Sequence, residues 1–461
     1  MQFRNPPKRT RPKASTPSPT DSSRSESLAL QIVLRLRSSG FLAYLVGGCV
    51  RDRLLGFAPK DYDVSTDATP AEILSIFPRA ETVGAHFGVV LVTEGPGACV
   101  EVATFRSEST YADGRRPEVV HFEKEPEQDV RRRDFTINGL MEDPLTGQIV
   151  DYVGGQADLK SKVVRAIGDA ETRFREDHLR MLRAVRFAAR LGFDIEGETI
   201  RAIQACAHEI KRISAERIRD ELVCILTQRG ARRALELLSD CRLLRIILPE
   251  VAAFQGVPQP PEFHPEGDVW THVLLMLEYL RAPTSTLALG VLLHDVGKPP
   301  TFRIADRIRF DGHAEVGASM TSKILSDLKF PREDIQHVTS LVANHMRFKD
   351  VFQMRLSTLK RFLRLPRFDE HLELHRLDCL ASNGYTDSYE FVRKKLVEIG
   401  KDELRPKRLL TGKDLIRAGY APGPMFGRAL EAAETAQLDG EIATPEEALA
   451  VARSVLESIT S

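Results

Sequence analysis

Two hydrophobic rhythms divide this chain. From residue 41 to about 167 the apolar runs are short and strand-like, whereas beyond Thr172 they recur every three or four residues, as on one face of a helix. In the first stretch a helix from Leu28 to Ser38 leads into an apolar run, Phe41 to Val46, that predicts a strand. Val50 to Leu55 predicts a short helix and Lys60 to Val64 a second strand. Thr69-Pro70-Ala71-Glu72 predicts a helix start with proline in its first turn. Val83 to Val92, Val100 to Thr104 and Val163 to Ile167 predict further strands. Phe105 to Pro117 is polar, basic and glycine-containing, and predicts a mobile loop.

In the second stretch Thr172 to Leu191 predicts one long helix, with Leu179, Leu182, Val185 and Ala189 on its apolar face. Residues 198–250 stay helical until the proline-rich run Gln255 to Pro265, which predicts a domain boundary. An amphipathic helix around His272 and an apolar one from Leu287 to Leu293 follow. The pattern as a whole is that of an α+β chain, mostly helical. It divides into a tail (1–25), a head with a sheet (26–150), a helical neck and body (151–255), an all-helical domain (256–400) and a C-terminal helical region (401–461).

Composition narrows the picture. At 461 residues the chain is too long for one ordinary domain. With 65 basic and 65 acidic residues it has no overall basic field, so any RNA contact must use local patches such as Lys211-Arg212, Arg229 and Arg232-Arg233. No apolar run is long enough to span a membrane. The six cysteines are scattered, without a CxxC, which points to a reducing, cytoplasmic setting and away from a disulfide framework or zinc ribbon. Residues 1–25 are rich in Pro, Ser and Arg/Lys and lack the apolar core of a secretory signal. They predict a disordered basic tail, with an organelle transit peptide as the alternative.

The candidate chemistry begins at Leu45–Asp63, LVGGCVRDRLLGFAPKDYD. Gly47 and Gly48 permit a tight turn before a helix start whose N–H groups suit a phosphate, with Arg51 beside them. Asp61 and Asp63 alternate along a strand and share a face. Two such carboxylates repel unless a cation lies between them, and Mg²⁺ on nucleotide phosphates is the natural one. Glu101 is either a third carboxylate there or an exposed strand residue. Arg131-Arg132-Arg133-Asp134, with Asn138 four residues on, is too polar for core; it is either a triphosphate and ribose site or a solvated turn. Asp177 and Arg180 lie three apart with Arg183 on the same helix face. They are either a surface ion pair or a fork for a base edge. In the fork a carboxylate accepts the amino group of C or A while the guanidinium meets the ring acceptor, and U leaves the carboxylate unpaired.

Eight of the twelve histidines fall between residues 264 and 375. His272, His294-Asp295, His313, His345 and Asp378 form an ordered set of imidazoles and carboxylates that suits Mn, Ni, Fe or Zn. His264, His337, His371 and His375 fit less well and read as surface or outer-shell residues. Thr411-Gly412-Lys413-Asp414 lacks the glycines of a phosphate loop and suits a helix start.

Five motifs in order, GG…DYD, RRRDFTING, DYVGG, EDHLRMLRAVRFAARL and ISAERI, resemble the bacterial (class II) tRNA nucleotidyltransferase/poly(A) polymerase family over residues 41 to about 250. The resemblance implies a polymerase-beta-like head and a polymerase without a nucleic-acid template, adding C, C and A to a tRNA 3′ end from CTP and ATP. It implies that Asp61 and Asp63 hold Mg²⁺. Gly47, Gly48, Arg51, Arg132, Arg133, Asp134, Asn138 and Arg183 would bind nucleotide, Asp177 and Arg180 would select it, and Arg217 would support the pocket. Residue 139 is glycine where the family commonly has alanine. The basic loop Arg106 to Pro117 resembles the flexible element of enzymes that add the terminal A. The histidine set resembles the HD phosphohydrolase superfamily and implies hydrolysis of a phosphoester, such as a 2′,3′-cyclic phosphate or a 2′-nucleotide. The rivals are an A-adding enzyme or poly(A) polymerase, a phosphohydrolase with a vestigial head, a non-catalytic RNA-binding protein and, for residues 256–400, a degenerate structural HD fold.

Overall fold

The computed structural model describes residues 19–84, 88–94, 98–111 and 117–457. They form two compact units: one runs to Glu221 and adds Glu236–Ile247, the other joins Leu222–Leu235 to the chain from Leu248 onward. Among the described residues no helix is long and apolar enough to cross a membrane.

The first unit is built on a mixed sheet of seven strands. These are β1 (Ala43–Val46), β2 (Asp63–Thr66), β3 (Ala80–Gly84), β4 (Val89–Thr93), β5 (Cys99–Thr104), β8 (Leu140–Asp143) and β9 (Gln148–Asp151). They lie in the order β3-β4-β5-β2-β1-β8-β9, with β6 (Arg106–Tyr111) and β7 (Pro117–Phe122) forming a separate ribbon. All neighbours are antiparallel except β2 and β5, which are parallel and place Asp63 opposite Glu101. The central strands are buried because their side chains are apolar or small: Leu45 and Val64 are fully enclosed, and so are Ser65 and Thr66. Gly47 takes a φ of +74° and gives its N–H to Leu140 of β8, so the turn after β1 is folded against the sheet and the helix Gly48–Leu54 starts at once.

Four expectations need correction. The helix expected from Leu28 begins at Pro19, inside the stretch 1–25 read as a disordered tail, and runs to Ser38. The predicted strand Val83–Val92 is two antiparallel strands, β3 and β4, which reverse at Gly88 (φ +69°); residues 85–87 lie outside the described residues. The predicted loop Phe105–Pro117 is the arm β6 and part of β7, paired from Arg106↔Phe122 to Tyr111↔Pro117, with 112–116 outside the described residues. A ribbon apart from the main sheet need bury no face, so its sequence shows no apolar alternation. The predicted single helix Thr172–Leu191 is two, Ala170–Glu176 and Leu179–Leu191, broken at Asp177 (φ −143°, ψ 104°). The Asp177 carboxylate accepts from the Leu179 N–H at 3.1 Å, and this local bond competes with helix continuation. The helix Pro70–Ile76 starts where expected, with Thr69 and Glu72 forming a reciprocal capping box.

The second unit is helical apart from a two-residue ribbon, Arg303–Ile304 with Ile308–Arg309. The helix Ser285–Leu293 is buried from Thr286 to Leu293, as its unbroken apolar run requires. At its end Gly297 packs against the helix His313–Asp327: a Cβ there would lie 2.1 Å from the His313 carbonyl oxygen and 2.7 Å from the Gly317 nitrogen. Only glycine allows that approach, and it brings His294-Asp295 beside His313. Thr411 and Asp414 form a capping box that opens the helix Gly412–Arg417.

Candidate active sites

In the first unit a cavity of about 570 Å³ gathers the thirteen residues Gly47, Gly48, Arg51, Asp61, Asp63, Arg132, Arg133, Asp134, Asn138, Asp177, Arg180, Arg183 and Arg217, together with Leu179, Arg186 and Phe187. Asp61 lies just before β2, in the loop and not in the strand, because the ladder with β5 begins at Asp63. The alternation nevertheless holds: Tyr62 is buried, Asp61 is exposed, and Asp63 is half-buried. Burial and the neighbouring Glu101 push the Asp63 carboxyl up to about 6; Arg133 opposes them, and Asp61 adds to the rise. Glu101 faces Asp63 across the strands but is not part of the cavity lining.

The arginines are held from behind. Asp129, fully buried, accepts from Arg132 Nε at 2.9 Å and Nη2 at 2.6 Å on one oxygen, and from Arg133 Nη2 at 3.0 Å on the other. Arg133 Nη2 also donates to Ser65 Oγ at 3.2 Å, and its Nη1 lies 3.0 Å from where a Cβ on Gly47 would stand. Asp134 is buried too. Its Oδ2 accepts from Arg183 at 2.8 and 2.6 Å, and its Oδ1 accepts from Asn138 Nδ2 at 3.0 Å and the Phe135 N–H at 2.8 Å. Burial alone would raise its carboxyl, but Arg183 and these bonds hold it at about 2. Asn138 Oδ1 takes a 2.5 Å bond from Arg51, which is itself buried and paired with Asp52. The Asp134–Asn138 contact is made by a 3₁₀ turn, Thr136–Asn138, and not by an α-helix.

Asp177 and Arg180, read as either an ion pair or a fork, take different partners: Asp177 stands at the helix break and Arg180 in the helix beyond it. Asp177 accepts from Arg217 Nη1 at 3.1 Å and Nη2 at 2.8 Å. Arg180 Nη1 instead donates to Glu176 at 2.5 Å, and its guanidinium also donates to the carbonyls of Arg173 and Arg132, both at 3.1 Å. Donor and acceptor thus face the cavity from separate supports. Sequence reasoning missed Asp129, Arg186 and Phe187. Asp129 stands three and four residues before Arg132 and Arg133, a spacing that would have found it. The Phe187 ring carries the guanidinium carbons of Arg51, Arg183 and Arg186 at 5.1, 5.3 and 4.4 Å from its centroid.

In the second unit the six expected residues converge in two groups, His272–His294–Asp378 and Asp295–His313–His345. Within each group the ligand atoms lie within 4.8 Å of one another. Three of the four histidines direct Nδ1 at a backbone carbonyl: His294 at Val291 (2.9 Å), His313 at Phe310 (2.8 Å) and His345 at Val342 (2.7 Å). A carbonyl only accepts, so each Nδ1 carries the proton and each Nε2 presents a lone pair. Those Nε2 atoms meet at Asp295: His294 is 3.1 Å from its Oδ2, while His345 and His313 are 3.7 and 3.8 Å from its Oδ1. Burial and the adjacent His294 keep His345 neutral, with a pKa of about 3. The Nε2 atoms of His272 and His294 and both oxygens of Asp295 are buried and meet the carboxylates and imidazoles of this centre and Lys298, His272 Nε2 lying 3.2 Å from Asp378 Oδ1. A cavity of about 730 Å³ reaches Asp295, His313, His345 and Asp378, with Lys298, Arg307, Arg309 and Lys349 in its wall. His264 is half-buried, and its Nδ1 bonds Glu266 Oε1 at 2.8 Å. His337, His371 and His375 are buried, not on the surface; His375, for example, stacks on Phe348 at 4.2 Å.

Known proteins show the same construction. The poly A polymerase head domain family matches residues 43–165, the probable RNA and SrmB-binding site of polymerase A matches 192–255, and the HD domain family matches 268–367. The CCA-adding enzyme of Leuconostoc mesenteroides is 32% identical over 422 residues, 91% of this chain and 94% of that protein. That of Geobacillus thermodenitrificans is 44% identical over 215 residues, 47% of this chain and 53% of that protein. The chain belongs to the CCA-adding enzyme family.

The Bacillus stearothermophilus CCA-adding enzyme in complex with CTP superposes with a TM-score of 0.69 at 28% identity, covering 94% of this chain and 97% of that one. The Thermotoga maritima CCA-adding enzyme complexed with tRNA shares the fold, with a TM-score of 0.57 at 21% identity. This CCA-adding family member is a tRNA nucleotidyltransferase with an HD domain, and both domains imply dependence on divalent metal. The residues present fit that requirement. The head sets the oxygen donors of Asp61 and Asp63 together in one cavity, with Glu101 opposite Asp63, and the second unit brings imidazole Nε2 atoms and buried carboxylates to one place.

Proposed function

We propose that this chain completes tRNA by adding C, C and A in turn to the 3′ end from CTP and ATP, releasing pyrophosphate, without a nucleic-acid template. The observation that carries this reading is that acids, arginines and the Asp177 and Arg180 side chains stand together in one head cavity. Asp61 and Asp63 would hold Mg²⁺, which would neutralise charge on the phosphates and lower the pKa of the attacking 3′-hydroxyl. Arg132 and Arg133 hold the triphosphate over the Gly47-Gly48 turn. Asp134 fixes Arg183 and Asn138 beneath the ribose. Asp177 and Arg180 read the Watson–Crick edge of C or A, and Arg217 sets the Asp177 carboxylate. Glu101 acts on Asp63 by its charge, across the sheet. The head and neck carry the chemistry, and the six free cysteines suit a reducing cytoplasm. Pyrophosphate release from CTP with tRNA lacking CCA tests the assignment: it should need both acids, and release that survives Asp61→Ala/Asp63→Ala overturns it.

A second activity is favoured by the convergent Nε2 atoms of the second unit: metal-dependent hydrolysis of a phosphoester such as a 2′,3′-cyclic phosphate or a 2′-nucleotide. His272, His294, Asp295, His313, His345 and Asp378 would hold Mn, Ni, Fe or Zn there, while Lys298 and the cationic wall receive the phosphate. Hydrolysis that survives His294→Ala contradicts this reading.

A further inference from the structure

His272 differs from the other three convergent histidines. His294, His313 and His345 stand at helix ends and find a carbonyl three residues back for Nδ1. His272 lies inside the helix Val269–Tyr279, where the preceding carbonyls belong to the helical ladder; its own N–H takes the Asp268 oxygen at 3.1 Å. Its Nδ1 therefore needs an acceptor from elsewhere, and it has one: Glu266 Oε1 at 2.7 Å, which also accepts from His264 Nδ1 at 2.8 Å. His272 is fully buried and the Glu266 side chain only 6% exposed, so water cannot substitute.

The same segment steadies Asp295. Gln259, buried, takes a 2.6 Å bond from Lys298 Nζ, which lies 2.7 Å from Asp295 Oδ2. The segment is itself pinned at both ends. The Gly256 N–H donates to Asp268 Oδ2 at 2.8 Å, the Val269 N–H donates to the Val257 carbonyl at 3.0 Å, and Asp268 caps the helix through the Thr271 N–H.

We propose that residues 256–268, which take in most of the proline-rich run predicted as a domain boundary, form the outer wall of the HD metal centre, and that Glu266 is its positioning residue. Glu266 fixes the Nδ1–H form of His272, so that Nε2 faces the metal, and makes that nitrogen more basic than a carbonyl partner would. Gln259 acts in parallel by tying Lys298 to Asp295. The proposal rests on the HD site binding metal.

The test uses the full chain carrying Asp61→Ala/Asp63→Ala, so that the head contributes no metal binding. Mn²⁺ is titrated by calorimetry, and His272 is followed by NMR with ¹⁵N-labelled histidine. The parent should bind Mn²⁺ in a manner abolished or strongly weakened by His272→Ala. Glu266→Gln should weaken binding about 10- to 100-fold and shift His272 away from a pure Nδ1–H form. Glu266→Asp keeps the charge but withdraws it by one methylene, and should move both readouts the same way; it serves if Glu266→Gln does not match the parent's melting temperature. Gln259→Leu should weaken Mn²⁺ binding without altering the His272 tautomer. Parent-like affinity and an unchanged tautomer in the Glu266 variants overturn the positioning role while leaving the HD site standing. Absence of His272-dependent Mn²⁺ binding in the parent overturns the HD reading itself.

Discussion

Replacing Asp129 by Asn should cripple the polymerase without touching any group that meets the base. Asp129 is fully buried and accepts three bonds, two from Arg132 and one from Arg133. The arginines hold its carboxyl below the usual range although burial works the other way. Asn keeps the shape, but its one remaining oxygen serves one guanidinium while its amide N–H₂ confronts the other. Breaking one side of a buried ion pair costs about 3–5 kcal/mol, within the stability of about 5–15 kcal/mol that a domain has to lose. The protein should therefore fold, with a lower melting temperature and one arginine released from the triphosphate. A charge-assisted hydrogen bond contributes about 1.5–3 kcal/mol net, which at 1.36 kcal/mol per decade is about 10- to 100-fold in kcat/KM. The loss should be equal for CTP on tRNA lacking CCA and for ATP on tRNA ending in CC. Steady-state kinetics on the two primers measure it. A change below about threefold, or a loss confined to one nucleotide, refutes the argument that Asp129 sets the triphosphate arginines.

Gly47→Ala should raise the KM for both nucleotides and lower the melting temperature, since φ is +74° and the new Cβ would stand 3.0 Å from Arg133 Nη1; the backbone strain alone is about 1–2 kcal/mol. Asp63, with its carboxyl near 6, loses its charge as pH falls through that value. Nucleotide addition should fall on the acid side, and raising Mg²⁺ should move that limb to lower pH, because metal and proton compete; a limb that ignores Mg²⁺ in pH–rate profiles counts against Asp63 as a ligand. Asp177→Asn should relax the rejection of UTP by about 1–3 kcal/mol of discrimination, read as the ratio of CTP to UTP incorporation, while leaving the triphosphate contacts intact.

The motifs that depend on residue type and short spacing were legible. Glycine pair, acids, arginines and fork all reach one cavity, and the histidine set converges as its order implied. What the one-dimensional pattern hid was backbone reversal and support. The break at Asp177 is invisible in a periodicity that Leu179 and Leu182 continue on its far side, yet it decides that Arg180 answers to Glu176 and Asp177 to Arg217. The β6–β7 ribbon was hidden because polar residues satisfy a free-standing ribbon as well as a loop. Glu266 and Gln259 were hidden by proline. Their segment, Gln255 to Pro265 and on to Asp268, has the composition of a linker, and only its cross-bonds show that it encloses His272 and Asp295. Arg51 was recognisable as a cation but not as a buried strut under Asn138, because burial of an arginine follows from Asp52 and Phe187 reaching it in space.

The most direct test is incorporation of labelled CTP and ATP, separately and together, on tRNA ending before CCA, after C and after CC, with Asp61→Ala/Asp63→Ala protein in parallel. Two C additions followed by one A, all lost in the double variant, are the expected result. A alone, accepted only on the CC end, or long A tails from any primer, would contradict the assignment of CCA addition, and no incorporation on any primer would contradict the head as a working polymerase.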